Sequence, residues 1–289
     1  MKIHLIDGTY ELFRNHFGAP PRKAPDGREV GATLGLLRSL LMLLQSPGVT
    51  HVGVAFDHVI ESFRNKMYAG YKTGEGVEPV LLDQFELAEK AVSALSVVVW
   101  PMVEFEADDA IATATARFKK IKSVEQVIIC SVDKDLTQMV EGKKVVCWDR
   151  RREIVLDEKG VIEKFGVKPG SIPDYLALVG DSADGYPGIK GWGAASTSAV
   201  LAKFKHIESI PKDPKKLPFS PGRAATLVEN LQQNYKDALL FRELSTLRTD
   251  VPLKERLDDL KWRGADPRLK KLCRELREER LVERVTKWR

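Results

Sequence analysis

The chain has 289 residues, 43% apolar and 30% charged, with a formal net charge of +5. That is a globular composition, long enough for one large domain or two small ones, and it excludes fibrous and low-complexity classes. No apolar run approaches the ~18–20 residues that span a bilayer, and three scattered cysteines, Cys130, Cys147 and Cys273, fit a reducing cytoplasm without a membrane partner rather than a disulfide framework or a zinc site.

In chain order, apolar runs of strand length fall at residues 3–6, 51–56, 97–100, 127–131 and 145–148. Helical patterns lie between them. Residues 30–45 place Leu34, Leu37, Leu41 and Leu44 on one face, and residues 81–95 do the same with Leu82, Phe85, Ala88 and Val92. A third helix follows Glu106 through Ala110, Ile111, Ala114 and Phe118. This alternation predicts an α/β fold, a parallel sheet flanked by helices on both faces. After about Pro169 strands vanish. Short helices are expected at 172–179, 194–204, 223–233, 235–247 and 267–285, with the proline-rich stretch 211–221 as a loop. Two units follow, residues 1–168 and a helical subdomain over 169–289.

The acids fall at the predicted strand ends. Asp7, Asp57, Asp133 and Asp135 close three strands, whose termini share one edge of a parallel sheet, where open α/β sheets bind ligands. A lone Asp there is commonly a turn former or helix N-cap; three such strands together weaken that explanation. Glu106, Asp108 and Asp109 crowd the start of one helix, and Asp181 and Asp184 add a fifth place in the chain. Like charges so close repel unless cations intervene. Setting these nine acids aside leaves +14 on the rest of the chain, a basic body around an acidic centre, as a polyanionic substrate would require. Carboxylates are hard ligands suited to Mg²⁺, and histidine is absent from every one of these motifs. Two divalent ions in such a site suit in-line displacement at phosphorus.

Two further segments carry anion-binding chemistry. Gly188, Lys190, Gly191 and Gly193 precede a helix whose first turn holds Ser196, so exposed backbone N–H groups offer an anion site; a glycine-rich turn joining two packed helices is the plainer alternative. In residues 62–79, Arg64, Lys66 and Lys72 alternate with Phe63, Tyr68 and Tyr71, a pattern that holds phosphates and stacks on bases; a solvated amphipathic helix is the plainer alternative. Gly70, Gly74 and Gly76 suggest that this segment is mobile.

Taken in order, Asp7-Gly8, Phe13-Arg14, Ala55-Phe56-Asp57, Ser62-Phe63-Arg64, Tyr71-Lys72, Glu106-Ala107-Asp108-Asp109, Asp133-Lys134-Asp135-Leu136, Gly180-Asp181-Ser182-Ala183-Asp184 and Pro187-Gly188-Ile189 resemble the 5′ nuclease superfamily. The likeness is to the 5′→3′ exonuclease domain of bacterial DNA polymerase I and to stand-alone bacterial and phage flap endonucleases. It runs from about Lys2 to about Leu253. The resemblance implies a PIN-like sheet with a helix–three-turn–helix module, two divalent metals (Mg²⁺, with Mn²⁺ as substitute) and DNA with 5′ flaps, nicks or branches as substrate. It implies Asp7, Asp57, Glu106 and Asp108 at the first metal, Asp133, Asp135 and Asp181 at the second, and Asp109 and Asp184 acting through water. Lys72 would be the active-site lysine of an arch over 62–79, with Arg14 and Arg64 as basic helpers. The glycine turn would grip duplex, with K⁺ bound in some relatives, and Tyr71 and Lys66 would touch the 5′ strand. A monomer is expected, either a stand-alone enzyme or an excised domain. Three positions depart from the pattern: Glu75 replaces an arginine, Ala194-Ala195-Ser196 replaces Glu-Lys-Thr, and Gly185 replaces the Asn after Asp184. A PIN-like ribonuclease lacks the 181–201 module, and a non-catalytic branched-DNA binder would lack carboxylates.

Overall fold

The computed structural model describes residues 1–289. Six strands, β1 Lys2–Asp7, β2 His51–Asp57, β3 Val98–Met102, β4 Gln126–Cys130, β5 Val145–Asp149 and β6 Ile154–Leu156, form one sheet in the order β3-β2-β1-β4-β5-β6. All neighbours are parallel except the β5–β6 pair. In β1, Ile3 and Leu5 enter one core and Ile6 the other, as the two-residue strand period requires of a sheet covered on both faces. The register sets Asp7 beside Ala55 and Asp57 beside Met102, so the acids of β1 and β2 emerge at one edge.

Helices α1 Gly8–Gly18, α2 Gly31–Leu44, α3 Phe63–Met67, α4 Pro79–Leu82, α5 Phe85–Ala94, α6 Ala107–Phe118 and α7 Glu158–Phe165 belong to the first unit. Leu34, Leu37 and Leu41 of α2 pack with Val52, Val54 and Phe56 on one face of the sheet, while Ala110, Ile111, Ala114 and Phe118 of α6 pack on the other. That second core runs on without a break into α8 Ile172–Val179, α9 Ala194–Phe204, α10 Pro221–Gln233 and α11 Tyr235–Ser245. No helix is long and apolar enough to cross a membrane.

Four expectations need correction. The helix expected over 81–95 is two, α4 and α5, because Gln84 turns inward between them and accepts from the Thr33 N–H at 3.1 Å. Residues 267–285 also divide, into α12 Arg268–Glu275 and α13 Glu279–Glu283, at Arg277, whose φ is 51°. The edge strand β6 is three residues long, too short for a periodicity to register. The second unit does not extend to residue 289: the Trp262 N–H reaches Thr50 O, the Asp266 N–H reaches Ala94 O, and Leu269, Cys273, Leu276, Leu281 and Val285 complete the core of α2 and α5.

Candidate metal centre

The crevice begins at the strand ends. Asp7 caps α1, its Oδ1 accepting the Tyr10 N–H at 2.8 Å, and its Oδ2 accepts the Ser131 hydroxyl at 2.8 Å. The turn-former reading and the site reading therefore both hold at this residue. Asp57 ties β2 to α6 by accepting the Ala107 N–H at 2.8 Å. After β4, Asp133 accepts the Asp135 N–H at 2.8 Å and shapes the turn that returns Asp135 to the interior.

Asp135, Asp181 and Asp184 each offer one carboxylate oxygen to a cluster whose atoms all lie within 4.8 Å of one another. Burial raises Asp7 to about 7, with Asp57 and Asp133 adding repulsion. Burial, Asp133 and Asp7 push Asp108 well above the carboxylate range, and burial with Asp133 and Asp184 does the same to Asp135. Burial takes Asp184 to about 6 despite the attraction of Lys72. Oδ1 of Asp108 and Oδ1 of Asp135 are buried without any hydrogen-bond donor. Orphaned carboxylate oxygens facing other carboxylates are costly unless a cation completes them. The donor set is all oxygen. These residues fit divalent cations of the hard class.

Two lysines reach into the same space. Lys72 Nζ lies 2.9 Å from Glu106 Oε2 and 3.4 Å from Asp184 Oδ1. Its backbone is fixed on both sides, the N–H donating to Asp184 O at 2.9 Å and the carbonyl accepting from Asn65 Nδ2 at 2.9 Å. Gly185 makes this possible: with φ at 87°, its missing Cβ would fall 2.1 Å from Gly70 O. The departure from Asn thus admits the 62–79 segment, which is anchored here rather than loose. Lys134 Nζ pairs with Asp181 Oδ2. Nothing in the sequence pattern marked Lys134 beyond its place between two aspartates.

The glycine turn adjoins the loop that carries Asp181 and Asp184, the Asp181 N–H donating to Tyr186 O at 2.8 Å. Gly188 adopts φ 71°, with the backbones of Val179 and Gly180 where a Cβ would stand, and the Ile189 N–H closes on Leu178 O. Gly193 is the N-cap of α9 without a side-chain cap, leaving the first-turn N–H groups outward.

Residues 2–166 match the family model described as 5′-3′ exonuclease, N-terminal resolvase-like domain, and residues 167–268 match 5′-3′ exonuclease, C-terminal SAM fold. The chain belongs to the 5′-3′ exonuclease family. The 5′-3′ exonuclease of Aquifex aeolicus (strain VF5) is 33% identical over 287 residues, 99% of this chain and 95% of that one. DNA polymerase I of Bacillus caldotenax is 30% identical over 271 residues, 92% of this chain but 30% of the polymerase. A bacteriophage T5 flap endonuclease, solved as a pseudo-enzyme-product complex with DNA and metal ions, shares the fold with a TM-score of 0.68 at 16% identity, covering 96% of this chain and 100% of that one.

Within this exonuclease the expected site residues separate into those that face the crevice and those that hold it. Asp109 faces away from open space: its two oxygens already accept from Arg64 Nη1 and Nη2, Glu106 N and Arg248 N at 2.8–3.0 Å. Arg64 is correspondingly buried and engaged by Asp109 and by Leu244 O. Glu106 is taken up by Ser62, Arg64, Tyr71 and Lys72; burial would raise its carboxyl, but Lys72 and Arg64 prevail and hold it at about 2. Tyr71 is 3% exposed and donates its hydroxyl to Glu106, so it offers no stacking face. Arg14 pairs with Glu11, a buried acid that Arg150 also holds at 3.0 Å. Ser196 is buried, its hydroxyl accepting from Arg223 Nη2 at 2.7 Å. The exposed Arg223 thus adds a second cation, beside the first turn of α9, and it lies 27 residues from Ser196, beyond any local motif. Lys66 and Lys190 are exposed.

Proposed function

We propose that this exonuclease is a Mg²⁺-dependent 5′→3′ exonuclease and flap endonuclease, hydrolysing phosphodiester bonds of DNA and of RNA primers at 5′ flaps, nicks and branches, as a cytoplasmic monomer in replication and repair. The observation that carries this reading is the Asp135–Asp181–Asp184 cluster, with its orphaned oxygen, beside Asp7, Asp57, Asp108 and Asp133 on one sheet edge. Asp135, Asp181 and Asp184 would hold one divalent cation, and Asp7, Asp57, Asp108 and Asp133 another, with Mn²⁺ able to replace Mg²⁺. Two such cations supply an activated water and neutralise charge on the attacking and leaving oxygens. Lys72, already fixed over the crevice, meets the negative charge that grows on the phosphate. Gly188, Lys190, Gly191, Gly193 and Arg223 hold the duplex backbone at the N-terminus of α9, and a K⁺ ion in that turn would add to the grip. Arg64, Asp109, Tyr71 and Glu106 form the frame that keeps Lys72 in place.

The test is a 5′-labelled flap substrate incubated with and without Mg²⁺, wild type against Asp135→Asn. The variant should bind the flap as well as wild type and cleave it slower by several orders of magnitude. Wild-type cleavage by Asp135→Asn would place the chemistry elsewhere. Product length separates endonucleolytic release from mononucleotide digestion.

A further inference from the structure

The positive charge of this exonuclease is concentrated at one end of its sequence. Residues 261–289 hold eleven Lys and Arg against five Asp and Glu, a net +6, so the other 260 residues together carry −1 of the chain's +5. All eleven cations are exposed. Arg263, Arg268 and Lys271 have acidic partners within 4 Å, whereas Lys261, Lys270, Arg274, Arg277, Arg280, Arg284, Lys287 and Arg289 have none. The surface beneath does not neutralise them. Glu278 is shared by Arg22 and Arg38, two further cations from the first unit.

This segment is a fixed platform. Leu269, Cys273, Leu276, Leu281 and Val285 are buried against α2 and α5, which turns the charged positions of α12 and α13 outward. The last residues are tied down as well. The Ala265 N–H donates to Lys287 O, the Arg289 N–H donates to Ala265 O, and Lys270 Nζ sits 4.7 Å over the Trp288 ring. Like charges held at fixed positions repel one another, and a polyanion relieves that repulsion at many of them at once. A pre-ordered array also binds without the entropy cost of folding a loose tail.

Its place in the fold separates it from the site already described. Residues 261–266 cross the beginnings of β2 and β3, at Thr50 and Ala94, whereas the carboxylates stand at the strand ends. Helix α12 lies on the α2–α5 side of the sheet, and the glycine turn lies on the α6 side. The C-terminal family match ends at residue 268, so α12 and α13 lie almost wholly beyond it.

We infer that the 261–289 surface is a second, electrostatic grip for the phosphate backbone of DNA, engaging a stretch of duplex other than the one held at the glycine turn. The inference rests on the proposed DNA substrate for the choice of polyanion, but not on cleavage.

The experiment reads binding alone. A labelled blunt DNA duplex is titrated with the full chain in EDTA across a salt series, comparing wild type with a quadruple variant, Arg274→Gln, Arg277→Gln, Arg280→Gln and Arg284→Gln. Each phosphate contact contributes a slope of about 0.9 in log affinity against log salt. The variant should lose about 2–4 from that slope and bind at least ~10-fold more weakly at low salt, while a set with lysine at the same four positions keeps wild-type behaviour. Single-turnover cleavage of saturating flap should stay within a few fold. Unchanged affinity and slope in the glutamine set would overturn the inference, as would an equal loss in the lysine set. So would a defect confined to anionic phosphatidylserine vesicles with duplex binding intact. Asp135→Asn runs alongside: it loses cleavage if the proposed function is right, and it keeps the salt slope if the grip is real, so the two readings fail separately.

Discussion

Arg64 and Asp109 form a closed fork in the interior. Nη1 and Nη2 of the guanidinium each donate at 2.8 Å to a different oxygen of the carboxylate, and both side chains are 1% exposed or less. With Arg64 Nε donating to Leu244 O and the Arg248 N–H donating to Asp109 Oδ1, the fork joins α3 and α6 to the last turn of α11 and the chain after it. It is the joint on which the Glu106–Lys72 pair rests.

The first prediction follows from that burial. Removing one partner leaves an uncompensated interior charge, which costs about 3–5 kcal/mol, whereas replacing both with apolar groups of similar volume costs far less. Arg64→Ala and Asp109→Ala should each lower the melting temperature by ~10 °C, and the double variant Arg64→Met, Asp109→Leu should melt closer to wild type than either. Single variants melting within about 2 °C of wild type would show that the fork carries no such role.

The sequence displays the strands, the common edge and the nine acids because these depend on a two-residue period and on aspartates directly after apolar runs. It does not display which acids are free. Asp108 and Asp109 are adjacent on α6, so they project about 100° apart, and one meets the crevice while the other meets Arg64. That difference depends on a partner 45 residues away. The same limit applies to Tyr71, whose hydroxyl is claimed by Glu106 across 35 residues. The break at Arg277 is likewise invisible locally; Glu278, the residue after it, pairs with Arg22 and Arg38 from distant parts of the chain.

A second prediction concerns pH in the metal-free protein. Asp7, Asp108 and Asp135 have folded-state values raised above those of an unfolded carboxyl, so the fold binds more protons than the unfolded chain between about pH 4 and the folded values. Stability therefore falls as pH rises through that window. His4 acts the other way, since burial, with Arg150 and Lys2, lowers it to about 4, but its effect is confined to below about pH 6.5. Between pH 6.5 and 8 in EDTA the melting temperature should decline, and millimolar Ca²⁺ should raise it more at pH 8 than at 6.5. Saturation at ~100 times the dissociation constant gives about 2.7 kcal/mol per site. A melting temperature indifferent to Ca²⁺ at both pH values would rule out the crevice as a metal centre.

A third prediction isolates Lys134. Its ammonium occupies Asp181 Oδ2, one of the three carboxylates of the cluster, so a cation entering there must displace it. Lys134→Ala removes that competition and the local positive charge together. Calorimetric titration with Ca²⁺ should show affinity tightened by about 3- to 10-fold, or roughly 0.7–1.4 kcal/mol. An unchanged dissociation constant would mean that Lys134 swings away at no cost.

The fourth prediction separates two roles for Lys72. Its ammonium joins Glu106 to Asp184 and so links the 62–79 segment to the loop before the glycine turn. If that linkage is its whole contribution, Lys72→Ala lowers the melting temperature and leaves the chemical step alone. If the cation also meets charge developing on the phosphate, its loss costs about 2.7–4 kcal/mol in that step, a fall of ~100-fold or more in the single-turnover rate under saturating enzyme. The structure favours the second outcome. Both backbone polar groups of Lys72 are already committed, and burial works against its charge while Glu106 more than compensates, so the ammonium remains charged and fixed before any substrate arrives. Lys72→Arg provides the control: it keeps the charge and the linkage but moves the centre of charge outward, and should recover most of the melting temperature but only part of the rate. Equal recovery of both, or a Lys72→Ala rate within a few fold of wild type, would assign Lys72 to the linkage alone.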